Sequence, residues 1–373
     1  MEQKFIPVCE PLIGKKDIDN VIECLNTGWI SSSGKFIDEF EKSWSEYCGM
    51  KYGVAVSNGS TALHIALACL DIKEGDEVIM PTFTIISCAN AIILNNAKPV
   101  LIDSDPITFT IDTSKIEEKI TEKTRAIMVV HIYGHPCDMD PILKIAEKYN
   151  LYIIEDAAEA HGARYKNRIA GSFGDISCFS FYANKIVTTG EGGMVLTNNS
   201  CFAEKAKSFR NLCFKKEKRF YHEEIGFNFR ITNMQAAIGV AQVERIEENI
   251  SKKRWIAKKY NEFLSDLSNI ILPAEMEWAK NVYWMYGVVL KDKNLNNEEV
   301  SKALLEYGIE TRPFFLGMHQ QPVFKKMGLF IDENYPIAEN LAEKGFYLPS
   351  GLSLTEKEIK YISSSLKKVL KHY

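Results

Sequence analysis

The sequence predicts an α/β protein: a large, helix-covered, mostly parallel sheet followed by a smaller C-terminal α/β unit. Three observations predict it. Between about residues 50 and 200, short apolar runs rich in β-forming residues alternate with helical patterns. Several runs, among them Ile127-Met128-Val129-Val130 and Leu151-Tyr152-Ile153-Ile154, are apolar without alternation, which means burial on both faces. The 373 residues, at ~150 per domain, suffice for two to three domains.

The predicted strands lie at 52–56, 77–80, 99–102, 125–131, 151–155, 176–180 and 193–197. Helical spacing separates them, as at 61–70 and 141–149. A long helical stretch over roughly 232–264 follows. Its second half is dense in charge (Glu247-Glu248, Lys252-Lys253-Arg254, Lys258-Lys259), which reads as a solvated helix joining two domains rather than an anion-binding face. Beyond Pro273 come a strand at 284–290, a helix at 298–307 and a terminal helix at 355–371. The expected division is a large domain over 1–248 and a smaller one over 249–373.

Composition narrows the function classes. Apolar residues at 46% and charged residues at 25% match a globular chain and exclude a disordered or collagen-like one. Lys+Arg 45 against Asp+Glu 49, a net charge of −4, implies no nucleic-acid partner. The nine cysteines are odd in number, scattered and without a C-x-x-C pair, so free thiols in a reducing compartment fit better than bridges or a metal site. The N-terminus lacks a signal-peptide core and no run of 18 apolar residues occurs; no membrane span and a cytoplasmic location are expected.

Three motifs at strand ends, where open α/β sheets bind ligands, carry chemistry. Ser57-Asn58-Gly59-Ser60-Thr61 is a small polar turn opening a helix, suited to a phosphate or to an ordinary N-cap. Glu155-Asp156-Ala157-Ala158-Glu159-Ala160-His161-Gly162 follows a buried strand. A carboxylate there needs a positive partner, which a protonated heterocycle supplies, unless Asp156 simply caps a helix. In Phe179-Ser180-Phe181-Tyr182-Ala183-Asn184-Lys185, a lysine sits between an apolar strand and the Gly-rich Thr189-Gly190-Glu191-Gly192-Gly193. Desolvation lowers its pKa and suits a Schiff base; a snorkelling surface lysine is the plainer alternative. Together, a phosphate cradle, a buried Asp and a desolvated Lys are the parts of a pyridoxal 5′-phosphate site.

These motifs, from Trp29-Ile30-Ser31-Ser32-Ser33-Gly34 to Gln320-Gln321-Pro322, make the chain resemble the sugar aminotransferases of the DegT/DnrJ/EryC1/StrS group. Asp-Ala-Ala-Glu-Ala-His-Gly and Ser-Phe-x-x-x-Lys are its signature. The resemblance implies the type I aspartate-aminotransferase fold with a seven-stranded, mostly parallel sheet. It also implies transfer of an amino group from L-glutamate to C4 of a nucleotide-linked 4-keto-6-deoxyhexose. Tyr133-Gly134-His135-Pro136-Cys137-Asp138-Met139-Asp140, Thr188-Thr189-Gly190-Glu191-Gly192-Gly193-Met194 and Glu310-Thr311-Arg312-Pro313 point to the branch using GDP-4-keto-6-deoxymannose. UDP- or dTDP-linked 4-keto-6-deoxyglucose is the alternative.

The resemblance also implies roles. Lys185 bonds the cofactor and then moves the proton, and Asp156 holds the pyridine nitrogen. Glu159 lies near the ring hydroxyl, unless it caps a helix. Ser180, Ser60 and Thr61 bind the phosphate, and Phe83 stacks on the ring, unless it is plain core. Arg312 and His319 are expected near the sugar and nucleotide. His161 and His319 are tempting bases, but Lys185 fills that role. Asn228, in Ile225-Gly226-Phe227-Asn228-Phe229-Arg230, is expected to reach the cofactor phosphate of a second subunit, giving a homodimer with composite sites; otherwise it only turns the chain. A dehydratase with histidine at the lysine position and a non-catalytic binder are the rivals, and the intact Lys185, Asp156 and Ser180 argue against both.

Overall fold

Strands apolar on both faces need cover on both sides, and the chain supplies it. The computed structural model describes residues 5–215, 218 and 220–371. In chain order its elements are α1 (Lys15–Thr27), α2 (Lys35–Cys48), β1 (Tyr52–Val56), α3 (Gly59–Cys69), β2 (Glu77–Pro81), α4 (Ser87–Leu94), β3 (Lys98–Ile102), β4 (Thr124–Val130), α5 (Met139–Tyr149) and β5 (Tyr152–Asp156). A small hairpin, β6 (Arg164–Tyr165) and β7 (Arg168–Ile169), precedes β8 (Ile176–Ser180), β9 (Gly193–Thr197), α6 (Ser200–Arg210), α7 (Asn233–Glu244) and α8 (Ile246–Leu264). The last third holds β10 (Ile270–Ile271), β11 (Ala279–Lys280), β12 (Tyr286–Leu290), α9 (Asn297–Glu306), β13 (Arg312–Pro313), α10 (Pro322–Lys326), α11 (Pro336–Lys344), β14 (Gly345–Leu348) and α12 (Glu356–Lys371).

All seven predicted strands lie in one sheet, ordered β1-β9-β8-β5-β4-β2-β3. Its neighbours pair in parallel except at β9, which runs against both β1 and β8. The carboxyl ends of β1, β2, β4, β5 and β8 therefore share one edge, together with the start of β9. One face of the sheet packs on a core that includes Phe40, Trp44, Phe179 and Phe181. The other packs through Ile79, Ile127 and Ile153 onto Ile142 and Ala146 of α5. A four-stranded sheet, β10-β12-β14-β13, forms its own core with Tyr260, Leu304, Ile362 and Leu366.

The stretch expected as one helix is two. Arg245, at φ −110° and ψ 16°, breaks it. The Arg245 side chain turns back to the Leu12 carbonyl at 2.7 Å and to Asp17, tying the break to the start of α1. The charged run is not wholly solvated either: Lys253 is buried, its Nζ donating to the Trp284 and Ser350 carbonyls. Helices α1 and α2 went unpredicted; both pack on α7, and α2 also packs directly on β1.

Buried charge on β5 is balanced locally. Glu155, fully buried, accepts from the backbone N–H groups of Gly171 (2.7 Å), Phe173 (2.6 Å) and Gly174 (2.6 Å) and pairs with His131 at 2.9 Å. Cys137 N donates to His131 Nδ1, so His131 Nε2 carries the proton toward Glu155. Four donors make this carboxylate tolerable inside the sheet and hold the loop after β7 under β5.

Candidate active site

The turn after β1 is built by one capping box. Asn58 Oδ1 accepts from Thr61 N at 2.9 Å, and the Thr61 hydroxyl donates to the Asn58 carbonyl at 2.8 Å. Thr61 is thereby spent on the N-cap. Gly59 and Ser60 are left facing a cavity of about 510 Å³. The Ser60 hydroxyl meets that of Ser87, at the start of α4, at 2.7 Å. A Cβ on Gly59 would stand 2.8 Å from Ser180 Cβ, and one on Gly193 would stand 2.3 Å from the Asn58 carbonyl oxygen. Two glycines thus let three chain segments close around the start of α3. Its free N–H groups and positive dipole end, with the Ser180 hydroxyl beside them, form an anion cradle.

Across the cavity, β5 ends in Asp156, 3% exposed. Its Oδ1 accepts from Ala158 N at 3.0 Å, and its Oδ2 accepts from the Cys88 thiol at 3.1 Å. Neither donor is a cation, so a protonated ring nitrogen is a partner this carboxylate lacks. Glu159, three residues on, accepts from Tyr133 N at 2.8 Å and lies 3.7 Å from Lys185 Nζ. Burial pushes the Glu159 carboxyl up to about 7, against the opposing pull of Lys185. Burial likewise lowers the Lys185 amine, with Glu159 and Asp156 resisting. Both members of the pair are driven toward neutrality, the condition a nucleophilic lysine requires. In the same wall the buried Asn184 Oδ1 has no hydrogen-bond partner among the described residues, an acceptor that a bound donor group would satisfy. Cradle, carboxylate, lysine and cavity size all fit pyridoxal phosphate.

The cavity wall contains Ser60, Asp156, Glu159, Ser180 and Lys185. Five other predicted positions lie outside it. Thr61 serves the cap. Phe83 is 1% exposed and packs behind the wall on Tyr133, Phe314 and Phe315; Thr84 and Ile85 are the residues of its turn that face the cavity. His319 is buried, with Nδ1 2.8 Å from the Thr82 hydroxyl and Nε2 3.0 Å from Glu339, so it ties two segments rather than facing a ligand. Arg312 is exposed and paired with Glu310 at 2.6 Å, but its cross-strand partner Tyr347 lines the cavity. Asn228 Oδ1 accepts from Arg230 Nε at 2.9 Å, and Asn228 does not line this chain's cavity.

His161 is buried against Trp44, and burial pulls its imidazole down to about 3, so it stays neutral. The sequence reading missed Ser87, Trp284, Phe315 and Tyr347 in the wall. Only an aromatic count near 284 and 315 signals the last three, and nothing local separates them from core.

With this geometry in hand, comparison with known proteins identifies the class. A sequence profile of the DegT/DnrJ/EryC1/StrS aminotransferase family matches residues 11–367, and the chain belongs to that family. The structure superposes on the aminotransferase from Psychrobacter cryohalolentis with a TM-score of 0.92 at 30% identity, covering 99% of both chains. Its fold is therefore the type I aspartate-aminotransferase fold. More particularly, the chain is 44% identical over 367 residues to the GDP-perosamine synthase of Caulobacter vibrioides, covering 98% of each. It is 43% identical to the GDP-perosamine synthase of Escherichia coli O157:H7, over 97% of this chain and 98% of that one.

Proposed function

We propose that the protein is a pyridoxal-phosphate-dependent nucleotide-sugar aminotransferase that moves the amino group of L-glutamate to C4 of GDP-4-keto-6-deoxy-D-mannose, giving GDP-perosamine. The observation that carries the chemistry is the meeting of Asp156, Lys185 and the Gly59–Ser180 cradle in one cavity at the carboxyl edge of the sheet. The sugar and nucleotide rest on the likeness to the two GDP-perosamine synthases over nearly the whole chain. UDP- and dTDP-linked substrates are not favoured, since both of those relatives carry GDP in their names.

When bound, pyridoxal phosphate supplies an electron sink next to the carbon that gains or loses nitrogen. Each residue then has a task that its surroundings allow. The start of α3, with Ser60 and Ser180, binds the phosphate. Asp156 keeps a proton on the ring nitrogen, because an isolated buried carboxylate strongly favours a cationic partner. Glu159, with its raised affinity for a proton and 3.7 Å from Lys185 Nζ, would share a proton with that amine beside the polar edge of the cofactor. Lys185 would bond the cofactor's aldehyde and, as a free amine, would hold or move a proton at its Nζ. Ile85, which lines the cavity where Phe83 does not, would be the apolar side chain to cover the ring. Arg312, whose cross-strand partner Tyr347 lines the cavity, would meet the anionic diphosphate of the substrate.

The functional unit in this reading is a homodimer, with Asn228, which does not line its own chain's cavity, serving the partner's site. Residues 1–248 carry the cofactor machinery, and 249–373 add Trp284, Phe315 and Tyr347 over it. A cytoplasmic location rests on nine free cysteines, seven of them buried. The deciding experiment supplies L-glutamate with 4-keto-6-deoxy sugars on GDP, UDP and dTDP and identifies the product by NMR. Amination at C4 of the GDP sugar supports the proposal; amination at C3, or of the UDP and dTDP sugars alone, defeats its substrate part.

A further inference from the structure

Trp284 precedes β12 and is 4% exposed, yet its indole does not serve the core alone. Lys185 Nζ lies 3.5 Å from the centroid of its ring. Three contacts decide where that ring stands. Its Nε1 donates to the Asn184 carbonyl at 2.8 Å, so the ring is tied to the residue next to the lysine. Its own carbonyl accepts from Lys253 Nζ at 2.8 Å, an otherwise unexplained buried cation on α8. Its ring also stacks on Tyr133, at 6.3 Å and 23°. Tyr133 in turn donates its N–H to Glu159. Indole and carboxylate are thus parts of one framework, and the lysine amine sits between them.

We propose that Trp284 is a positioning residue for Lys185: its indole face and the Glu159 carboxylate together form the station that holds the amine when it is not bonded to the cofactor. The inference rests on the aminotransferase reading and adds a residue to it. A cation over an indole face is favoured by the ring quadrupole, more so when both are desolvated. The groups facing Lys185 from the packed elements are Asp156 at the end of β5, Glu159 just after it, Cys9 on the N-terminal segment, His161, which stays neutral, and Lys253 on α8. Lys253 opposes a charge on Lys185, while Asp156 and Glu159 favour it. The aromatic face therefore biases the amine toward the protonated form and keeps it aimed at the cavity.

The test uses cofactor-free protein and pyridoxal phosphate as the probe. Covalent capture of the aldehyde requires the neutral amine, so the capture rate, followed by absorbance, rises with pH about a midpoint set by Lys185. Removing the aromatic face disfavours the ammonium and moves that midpoint down. Trp284→Leu should lower it by roughly 0.5–1 pH unit, and Trp284→Phe, which keeps a weaker face, by less. The dissociation constant for pyridoxamine phosphate, which binds without the lysine bond, should stay within about threefold because the phosphate cradle is untouched. If Trp284→Leu is not recovered folded, Trp284→Phe against wild type decides. A wild-type midpoint in the folded variants overturns the proposal. Wild-type protein that captures no pyridoxal phosphate at any pH overturns the cofactor reading beneath it instead.

Discussion

Single side chains in the cavity divide into those whose charge is the point and those that hold position. Lys185→Ala should abolish amino transfer while pyridoxamine phosphate still binds, because the phosphate cradle is made by other residues. Turnover at the wild-type rate in the purified variant would remove Lys185 from its role. Asp156→Asn should leave the fold intact and cut kcat by at least ~10²-fold, since a neutral amide gives up the charge that keeps the ring nitrogen protonated. Glu159 gives a pH prediction. Its carboxyl rises from the ordinary 4.5 to about 7 on burial, so it takes up a proton on folding. The stability it contributes is complete below about 4.5 and is lost as pH rises through about 7. Between pH 5 and 8 the cofactor-free protein should lose roughly 2–3 kcal/mol that Glu159→Gln does not lose. Urea midpoints at the two pH values measure it, and parallel losses in the two proteins would contradict it. His319→Ala should cost about 1–3 kcal/mol of stability by orphaning the Thr82 hydroxyl and freeing Glu339, with KM for the sugar unchanged. A raised KM at unchanged stability would return His319 to the substrate site.

At the scale of elements, the site is a consequence of strand ends and glycines. Gly59→Ala puts a Cβ 2.8 Å from Ser180 Cβ, with backbone behind both, so neither can move without opening the cradle. The expected result is a loss of cofactor affinity of ~10-fold or more with about 1–3 kcal/mol of destabilisation. Unchanged affinity by fluorescence titration would mean the cradle lies elsewhere. The strands themselves were legible because burial on both faces demands continuous apolar runs, and the seven predicted agree with the seven found to within one or two residues. Helices α1 and α2 were harder: their apolar stripes alternate with Lys and Glu, and both find a packing partner in α7, which follows almost 200 residues later. Two-residue strands such as β10 and β13 have too few residues to show any period.

For the whole molecule, the composite site is the claim with most at stake. Lys185→Ala and Asn228→Asp should each be inactive alone. Mixed under conditions of subunit exchange, they should regain part of the activity, because a heterodimer places both lesions in one site and leaves the other intact. No recovery despite demonstrated exchange, or activity in a monomer at assay concentration, would defeat the dimer reading. Within this chain Arg230 Nε donates to Asn228 Oδ1 at 2.9 Å and so fixes the orientation of the amide that the test addresses.

The chain's own order of residues determined the sheet, the family and the candidate positions Asp156, Ser180 and Lys185 that meet in one cavity. Apolar continuity, a lysine among small and aromatic neighbours, and a carboxylate closing a buried strand are local signals that survive without coordinates. Only tertiary structure decided which neighbours of those residues face the cavity. Phe83 and Ile85 sit two residues apart in one turn, and the turn's geometry sends the first into the core and the second to the wall. Thr61 and Ser60 are adjacent hydroxyls, and the cap takes one and leaves the other. Trp284, Phe315 and Tyr347 come from a segment 99 to 162 residues after Lys185, brought over it by the packing of the C-terminal sheet. Such contacts depend on how whole layers meet, a property of shape rather than of spacing along the chain.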